Sequence, residues 1–293
     1  MVRAAGAGAV NPWLRRRPLN IAHRGGAAEA PASTMFAMAT AVAAGADMLE
    51  LDVHTTADGH VVVVHDETVD ATTDGCGAVG ALTLAQLQRL DAAYRFVPGV
   101  GDVADPAASD CPYRGVATGR RSPPAGFTAD DFRVPLLADV LRRFGGVYVN
   151  IDLKRPPGDE GGDEAAVAQV IAAHGEVTNL MVASFHDAAL CRFSALAPGV
   201  STSAGPGETA ALWQSVHDGS PAGIPGRHAV QVPVTYGDVV VVSEPFVRAA
   251  HDVGLAVHVW TVDEPAEMRR LLALGVDGIV TDRPSVLATV LAD

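Results

Sequence analysis

Residues 47–54 of the chain, DMLELDVH, carry the pattern that decides the fold. The run is mostly apolar, as expected of a strand buried in a parallel sheet, and it holds the carboxylates Glu50 and Asp52 two residues apart. Side chains along a strand alternate between its two faces, so these two acids share one face. The sequence therefore predicts a buried β-strand with paired acids on one side.

Seven further apolar segments resemble this strand, and stretches with helical periodicity, among them 33–44 and 265–274, follow most of them. Strands that alternate with helices indicate parallel βαβ units. Eight such units predict an α/β fold, the closed (β/α)₈ TIM barrel, and 293 residues are about right for one such domain over 1–293. The predicted strands are 19–23, 47–54, 147–154, 180–185, 200–204, 229–233, 256–262 and 278–282.

The apolar run 61–65 does not fit the parallel order, because only a short turn around Asp58 separates it from the strand at 47–54. A connection this short makes an antiparallel hairpin. Centring the turn on Asp58 places Leu51 opposite His65. The arm is therefore predicted to bring His65 back beside the paired acids.

Residues 67–135 are the least regular part of the chain and are rich in Gly, Pro and Ala. We interpret them as an insertion after the second strand, with one helix at 83–90, and not as a separate domain. Insertions in barrel loops often shape the active site. Trp213 and Phe127 are predicted to lie in loops that cover the mouth of the barrel.

The charge and hydropathy of the chain argue against two classes of protein. A formal net charge of −13 argues against nucleic-acid binding, because neutralising phosphates needs clustered Lys and Arg. The charge still permits a phosphate substrate, since a bound divalent cation reverses the local field of an acidic site. No run of 18 apolar residues exists, so no transmembrane segment is predicted.

A cytoplasmic location is predicted from the N-terminus and the cysteines. The basic cluster at 15–17 follows a short apolar stretch, whereas in a signal peptide it would precede it. The three cysteines do not form a disulfide framework and fit reduced thiols. A bridge between Cys76 and Cys111, which lie in the same irregular region, is left open.

Barrel enzymes place their chemistry at the C-terminal ends of strands, where several charged side chains of this chain fall. Glu50, Asp52 and Asp152 would repel one another there, and a hard divalent cation with oxygen ligands relieves that repulsion. The set predicts a site for one Mg²⁺ or Ca²⁺. The alternative is an ion network in which Arg24 and Lys154 neutralise the acids.

Two histidines flank the paired acids, His23 at the end of the first strand and His65 at the end of the arm. Imidazole titrates near neutral pH, so one ring can accept a proton while the other donates one. Arg24 and Lys154 could each hold a phosphate oxygen. Trp260 could line the pocket for a glycerol or alkyl group, or else pack in the core.

An ordered set of short motifs runs from His23 to about Pro284. The set is HRGG at 23–26, PAST at 31–34, ELD at 50–52, DG at 58–59, HD at 65–66, NIDLK at 150–154, SF at 184–185, WTV at 260–262 and the segment 275–284. In this order the motifs resemble the signature of the glycerophosphodiester phosphodiesterase family. The set is specific, although no single motif is.

The resemblance implies a function and a role for each candidate. Members of this family are TIM barrels with an insertion after the second strand, and they hydrolyse small-molecule glycerophosphodiesters to sn-glycerol 3-phosphate and an alcohol. By the resemblance, the two histidines form the catalytic pair and the three carboxylates ligate the metal. Arg24 and Lys154 become phosphate contacts.

The chain departs from the family pattern at three places. Ala32 and Ser33 replace the Glu and Asn of a Pro-Glu-Asn-Thr motif that braces the first loop, and Ser33 is expected to cap the following helix instead. Asp152 stands where the family usually has Glu, and Ala71 where Arg is common. Because both histidines remain, these departures predict a divergent member with an unusual substrate.

Three other functions stay open at this point. A lysophospholipase D-like phosphodiesterase acting on lysolipids would need an apolar approach surface near the barrel mouth, which residues 98–133 are expected to provide. A Schiff-base aldolase would use Lys154 as its nucleophile, and its activity would be insensitive to chelators. A phosphodiester-binding barrel with weak turnover would hold metal and ligand without releasing product. The preferred alcohol and the oligomeric state do not follow from the sequence.

Overall fold

Parallel strands and helices alternate along the chain. The computed structural model describes residues 11–14, 17–154, 162–220 and 223–293, so most of the segment behind the signal-peptide argument lies outside the described residues. Within those ranges, no helix has the length and apolar character that crossing a membrane requires. The cytoplasmic location stays a prediction.

The strands are β1 (Leu19–Ala22), β2 (Met48–Thr55), β3 (Val61–Val63), β4 (Phe96–Val97), β5 (Gly101–Asp102), β6 (Tyr148–Leu153), β7 (Leu180–Ser184), β8 (Ser201–Thr202), β9 (Ala229–Pro233), β10 (Thr235–Tyr236), β11 (Val239–Val240), β12 (Ala256–Trp260) and β13 (Gly278–Thr281). The helices are α1 (Met35–Ala43), α2 (Leu84–Leu87), α3 (Leu137–Arg143), α4 (Glu164–His174), α5 (Asp187–Leu196), α6 (Pro206–Asp218), α7 (Glu244–Asp252), α8 (Pro265–Ala273) and α9 (Pro284–Ala292).

Eight parallel strands form a nearly closed barrel. Their order is β8-β7-β6-β2-β1-β13-β12-β9, and a parallel bridge between Ser203 and Ala229 joins the two ends of this sheet. Each barrel strand is followed in the chain by a helix, after β2 only beyond the arm and the insertion. This is the (β/α)₈ TIM barrel predicted from the sequence, and every barrel strand begins and ends within two residues of its predicted bounds.

Alternating side chains on each strand build two separate cores. On β2, Leu49, Leu51 and Val53 pack outward in the apolar layer beneath the helices. Met48, on the opposite face, joins an apolar cluster in which Trp13 is buried. Apolar side chains therefore fill the barrel near the N-terminal ends of the strands, and the inward positions further along β2 and β6 are free to be polar.

The arm β3 pairs antiparallel with β2, with Val53 opposite Val63. Continuing this register places Leu51 opposite His65, as predicted from a turn centred on Asp58. Both the antiparallel arm and its register are confirmed. The register matters because a slip of one residue would turn every side chain of the arm to its other face.

The segment between β3 and α3 contains only short elements. The helix predicted at 83–90 is the four-residue α2, capped by Thr83. The prediction was wrong in length, because the backbone N–H groups of Arg89 and Leu90 bond to the carbonyls three residues before them and not four. Cys76 is exposed, Cys111 is buried, and both are free thiols, so the bridge left open by the sequence does not form.

Candidate active site

A cavity of about 750 Å³ opens at the C-terminal ends of the barrel strands. Every site residue singled out from the sequence lines it. These residues are His23, Arg24, Glu50, Asp52, His65, Asp152, Lys154 and Trp260.

Three buried carboxylates meet at one end of this cavity. One oxygen atom each from Glu50, Asp52 and Asp152 lies within 4.8 Å of the other two. The strands impose this arrangement, because the parallel register of β2 and β6 sets Asp52 directly opposite Asp152. Ca²⁺ takes oxygen ligands at about 2.3–2.6 Å, so one ion can reach all three.

Two cations contact the same acids. Lys154 Nζ lies 2.9 Å from Asp52 Oδ1 and 2.7 Å from Asp152 Oδ2, and Arg24 Nε lies 3.5 Å from Asp52 Oδ2. The ion network that the sequence left as an alternative is therefore formed. It is incomplete, because three carboxylates face two cations and the buried Asp152 Oδ1 has no hydrogen-bond partner among the described residues.

Burial and mutual repulsion shift the pKa values of the three acids. Burial raises the pKa of Glu50 to about 7, and the charge of Asp52 adds to this effect. Burial also raises the pKa of Asp152, despite the nearby Lys154. Only for Asp52 do Lys154 and Arg24 outweigh burial, and there the pKa is lowered. The two cations therefore do not bring the pKa of Glu50 or Asp152 back to its usual value, and a further cation nearby would lower both.

A carboxylate holds each of the two histidines through Nδ1. His23 Nδ1 lies 2.6 Å from Asp282 Oδ1, and His65 Nδ1 lies 2.5 Å from Asp66 Oδ1. A carboxylate can only accept, so Nδ1 carries the proton in both rings and Nε2 is left for a ligand. His54 Nε2 donates to the His65 backbone carbonyl at 3.1 Å and so fixes the end of the arm.

The two imidazole rings differ in proton affinity. Burial lowers the pKa of His23, but the Asp282 hydrogen bond and the charge of Glu50 outweigh burial, and the net pKa is raised. For His65, burial outweighs the charge of Asp52, and the pKa is lowered. His23 therefore keeps its proton to a higher pH than His65, which is the separation that an acid/base pair needs.

Asp66 and Asp282, which orient the histidines, were not given a role from the sequence. Asp282 ends the eighth predicted strand, and Asp66 directly follows His65. A carboxylate at a strand end was thus an available signal, but nothing in the sequence pairs Asp282 with His23. That pairing arises because β13 lies next to β1 in the barrel.

The backbone after β1 holds both Arg24 and Glu50. Arg24 has a φ of 52°, in the left-handed region, and its backbone N–H donates to Glu50 Oε2 at 3.1 Å. Gly25 follows with a φ of 81°, and a Cβ there would lie 2.9 Å from the Met38 backbone nitrogen. Only glycine fits this position, so close packing against α1 fixes the loop.

The start of α1 corrects one prediction. Thr34, not Ser33, caps the helix, and its hydroxyl accepts from the Ala37 N–H at 3.1 Å. Ser33 cannot take this role because it lies one residue earlier, with a left-handed φ of 59°. Its backbone N–H donates to the Arg24 carbonyl at 2.8 Å, so the main chain braces the loop where Ala32 and Ser33 depart from the family motif.

The other end of the cavity is apolar. Trp213 lies on α6 and not in a loop as predicted, and its indole N–H donates to the Val240 carbonyl of the β10–β11 hairpin at 3.3 Å. Phe185 follows β7, and its ring meets that of Trp260 edge-on at 5.6 Å. We call this surface the apolar wall. Its members are Phe185, Ala210, Trp213, Tyr236, Val239 and Trp260.

The insertion does not line the cavity. None of the residues 66–149, all of which the structure describes, is among the lining residues. The expectation that residues 98–133 supply an apolar approach surface to this cavity is therefore wrong. Insertion residues still contact the site, because Thr72, Ala92 and Val134 line a small second pocket together with Arg24 and His65. The aromatic side chains of the insertion pack on α1 instead, as Phe127 does against Phe36 at 4.8 Å.

Comparison with known proteins shows what the chain is similar to. The model of the glycerophosphoryl diester phosphodiesterase family matches residues 23–286. Glycerophosphodiester phosphodiesterases from Bacillus subtilis and Caldanaerobacter subterraneus are 30% and 29% identical to the chain. The matches cover 92% of the chain in both cases and 85% and 96% of the relatives.

Solved structures of similar shape carry related names. The glycerophosphodiester phosphodiesterase from Agrobacterium tumefaciens is 25% identical and superposes with a TM-score of 0.67, over 92% of this chain and 98% of that one. A phosphodiesterase from Oleispira antarctica, solved in complex with the product sn-glycerol-3-phosphate, is 22% identical. It superposes with a TM-score of 0.70, over 94% of this chain and 98% of that one, and so shares the fold.

Proposed function

The chain belongs to the glycerophosphoryl diester phosphodiesterase family, and from this premise we propose that it hydrolyses glycerophosphodiesters to sn-glycerol 3-phosphate and an alcohol in a metal-dependent reaction. One observation carries the proposal: the paired histidines, the three carboxylates and both cations line a single cavity at the C-terminal ends of the barrel strands. Each group is of the type that phosphodiester hydrolysis needs.

Glu50, Asp52 and Asp152 would hold the metal ion. The donor set fits a hard cation, because it consists of carboxylate oxygens close enough for one ion, and Asp152 Oδ1 lacks any other partner among the described residues. Once bound, Mg²⁺ or Ca²⁺ would withdraw charge from a phosphoryl oxygen and orient the substrate.

The two histidines would move the protons. We assign the general base to His65, whose lowered pKa leaves Nε2 free to take a proton from water or from a neighbouring substrate hydroxyl. We assign the general acid to His23, whose raised pKa keeps a proton available for the oxygen of the leaving alcohol. Arg24 and Lys154 would stabilise charge on the phosphoryl oxygens.

The Schiff-base alternative loses its basis. Burial alone would lower the pKa of Lys154, but Asp152 and Asp52 outweigh burial and raise the pKa well above its usual value. A lysine acting as a nucleophile must be an unprotonated amine. Lys154 is held instead as an ammonium ion between two carboxylates.

A product assay tests the proposal directly. The purified protein is incubated with a panel of glycerophosphodiesters in Mg²⁺, in Ca²⁺ or in chelator, and sn-glycerol 3-phosphate is measured by an enzymatic coupling reaction. We expect product with a divalent cation and little with chelator. Failure to release sn-glycerol 3-phosphate from every diester, under every metal condition, would reject the function.

Asp152 provides a second test, since it is shorter by one methylene than the Glu usual in the family. If Asp152 ligates the ion, Asp152→Ala should weaken metal affinity by at least roughly 10–100-fold. That is the loss typical when a residue that only hydrogen-bonds to a metal ligand is removed, so the loss of a ligand itself should be no smaller. Asp152→Glu should keep partial activity. Calorimetric titration measures the affinity, with the exposed Asp105→Ala as the matched control. Unchanged metal affinity in Asp152→Ala would show that Asp152 is not a metal ligand.

A further inference from the structure

Asp263, in the loop between β12 and α8, contacts the segment that holds His23. Its Oδ1 accepts two hydrogen bonds, one from the Asp282 backbone N–H at 2.8 Å and one from the Thr281 hydroxyl at 2.9 Å. The side chain of Asp282 in turn lies 2.6 Å from His23 Nδ1. Asp263 is therefore connected to the imidazole through Asp282.

The strand ladder does not reach Asp282. The pairing of β13 with β1 ends at Thr281, which lies opposite Ala22, so Asp282 is the first residue beyond the strand. Backbone groups beyond a strand end lack the ladder hydrogen bonds and depend on other partners. The position of the Asp282 carboxylate is therefore set by the contacts that the neighbouring loops supply.

Two hydrogen bonds supply those contacts. The Asp282 carbonyl accepts from the Ala28 N–H at 3.1 Å, in the loop that follows β1. The Asp282 N–H donates to Asp263, in the loop that follows β12. The first loop also packs closely on the end of β13, because a Cβ on Gly26 would lie 2.9 Å from Pro284 Cγ. Asp282 is thus held by one loop at its carbonyl and by Asp263 at its N–H.

Asp263 has this role as a hydrogen-bond acceptor. Both bonds reach the same oxygen atom, and the amide oxygen of an asparagine can accept them as well. Without an acceptor, the hydroxyl of the fully buried Thr281 and the Asp282 N–H would both lose their partner. A polar group left unpaired is costly, so we expect the segment to shift and the Asp282 carboxylate to move with it.

We propose that Asp263 is a positioning residue for the general acid: it fixes the end of β13 so that the Asp282 carboxylate meets His23 Nδ1. The inference rests on the proposed phosphodiesterase function and adds to it a residue outside the cavity lining. When the bond from phosphorus to the leaving oxygen breaks, the proton on His23 Nε2 passes to that oxygen. The proton on Nδ1 stays with Asp282, which keeps Nε2 directed at the substrate.

A double-mutant cycle tests whether Asp263 acts through His23. We expect Asp263→Ala to lower kcat on an unactivated glycerophosphodiester by about 10–100-fold, the effect of a small misplacement of a catalytic group. The KM should change little. In the His23→Ala background the same substitution should cause no further loss, because residues that act as one unit are not additive. On a p-nitrophenyl phosphodiester, which needs no proton from His23, Asp263→Ala should recover most of its rate.

Three further variants distinguish positioning from a general loss of structure. Asp263→Asn keeps an oxygen at the accepting position and should restore most of the activity that Asp263→Ala loses. Glu264→Ala is the matched control, because Glu264 is exposed and its side chain does not cap α8. If Asp263→Ala does not fold, Thr281→Val takes its place, since it removes one donor and leaves the Asp282 N–H bonded. Its smaller loss should likewise vanish in the His23→Ala background.

An NMR measurement tests the same contact without turnover. A long-range nitrogen–proton correlation spectrum shows which ring nitrogen carries the proton, and His23→Ala identifies the His23 signals among the ten histidines. The spectrum is recorded on the Mg²⁺-loaded protein at a pH where the ring is neutral. We expect the proton at Nδ1 in the parent protein and in Asp263→Asn, and a mixture of both tautomers in Asp263→Ala.

The outcomes separate this inference from the function on which it rests. If the parent protein cleaves no diester, the proposed function fails, and the tautomer measurement alone decides whether Asp263 orients His23. If diesters are cleaved but the losses from Asp263→Ala and His23→Ala multiply, the hydrolase stands and the inference is refuted. An unchanged His23 tautomer in Asp263→Ala would overturn it as well.

Discussion

Replacing either His23 or His65 with alanine should lower kcat on an unactivated glycerophosphodiester by about 10²–10⁴-fold, the usual contribution of a general acid or base. Metal affinity should change little, because neither ring belongs to the carboxylate cluster. Steady-state kinetics measures the loss. The exposed His174→Ala, at the end of α4, serves as the matched control and should behave as the parent protein does.

An activated substrate distinguishes the two roles. p-Nitrophenol leaves without needing a proton, so the variant that lacks the general acid should recover much of its rate on an aryl phosphodiester. We expect this recovery in His23→Ala and not in His65→Ala, because the pKa of His23 is raised and that of His65 is lowered. The reverse pattern would exchange the two assignments.

The pH profile of kcat/KM follows from the same assignment. The acid His23 must be protonated, so activity should fall as the pH rises through its raised pKa. The base His65 must be neutral, so activity should fall as the pH drops through its lowered pKa. The result is a bell with a broad top. Near-parent turnover of His65→Ala on unactivated diesters would refute the paired-histidine mechanism.

Removing a carboxylate from the cluster should have an effect of similar size. Glu50→Gln or Asp52→Asn takes one negative charge from the proposed metal site, and we expect activity to fall by about 10²–10³-fold, in keeping with the several kcal/mol that a bound metal contributes. Excess EDTA should inactivate the parent protein equally. Full activity in EDTA would exclude a metal requirement. The exposed Glu67→Gln is the matched control.

Stability gives an independent readout of the same cluster. The pKa of Glu50 is raised to about 7, so the folded protein binds a proton there that the unfolded chain has already lost. In the metal-free protein, ionisation of Glu50 should therefore lower the free energy of unfolding progressively as the pH rises from about 4.5 to 7, by at most about 3 kcal/mol in total. A divalent cation should offset that loss, and Glu50→Gln should remove the Glu50 part of it. Tm measured against pH, with and without Mg²⁺, tests both statements.

The polar end of the site could be predicted because it depends on local patterns. Glu50 and Asp52 share a face through the two-residue period of one strand, and the short turn at Asp58 fixes where His65 returns. These rules act over a few residues, and they do not depend on how the barrel closes. For the same reason the eight barrel strands were found close to their observed bounds.

The apolar end could not be predicted, because distant segments build it. Trp213 lies on α6 and Tyr236 on β10, and only the closed barrel brings these two segments to one cavity. The sequence favoured the insertion as the source of apolar side chains, but its aromatic side chains pack against Phe36 on α1. Asp282 was overlooked for a related reason, since its contact with His23 depends on the last strand closing against the first.

The junction of β8 and β9 has a much shorter strand pairing than the junction of β2 and β6. β8 has two residues, and the bridge between Ser203 and Ala229 closes the barrel there, whereas β2 and β6 pair along six residues. A segment with few backbone hydrogen bonds opens at a lower free-energy cost than the rest of a fold. The apolar wall includes side chains of α6, which follows the shortest barrel strand, whereas Asp52 and Asp152 lie on the longest parallel pairing of the barrel. We therefore expect substitutions on α6 to disturb the carboxylate cluster less than substitutions on β2 or β6 do.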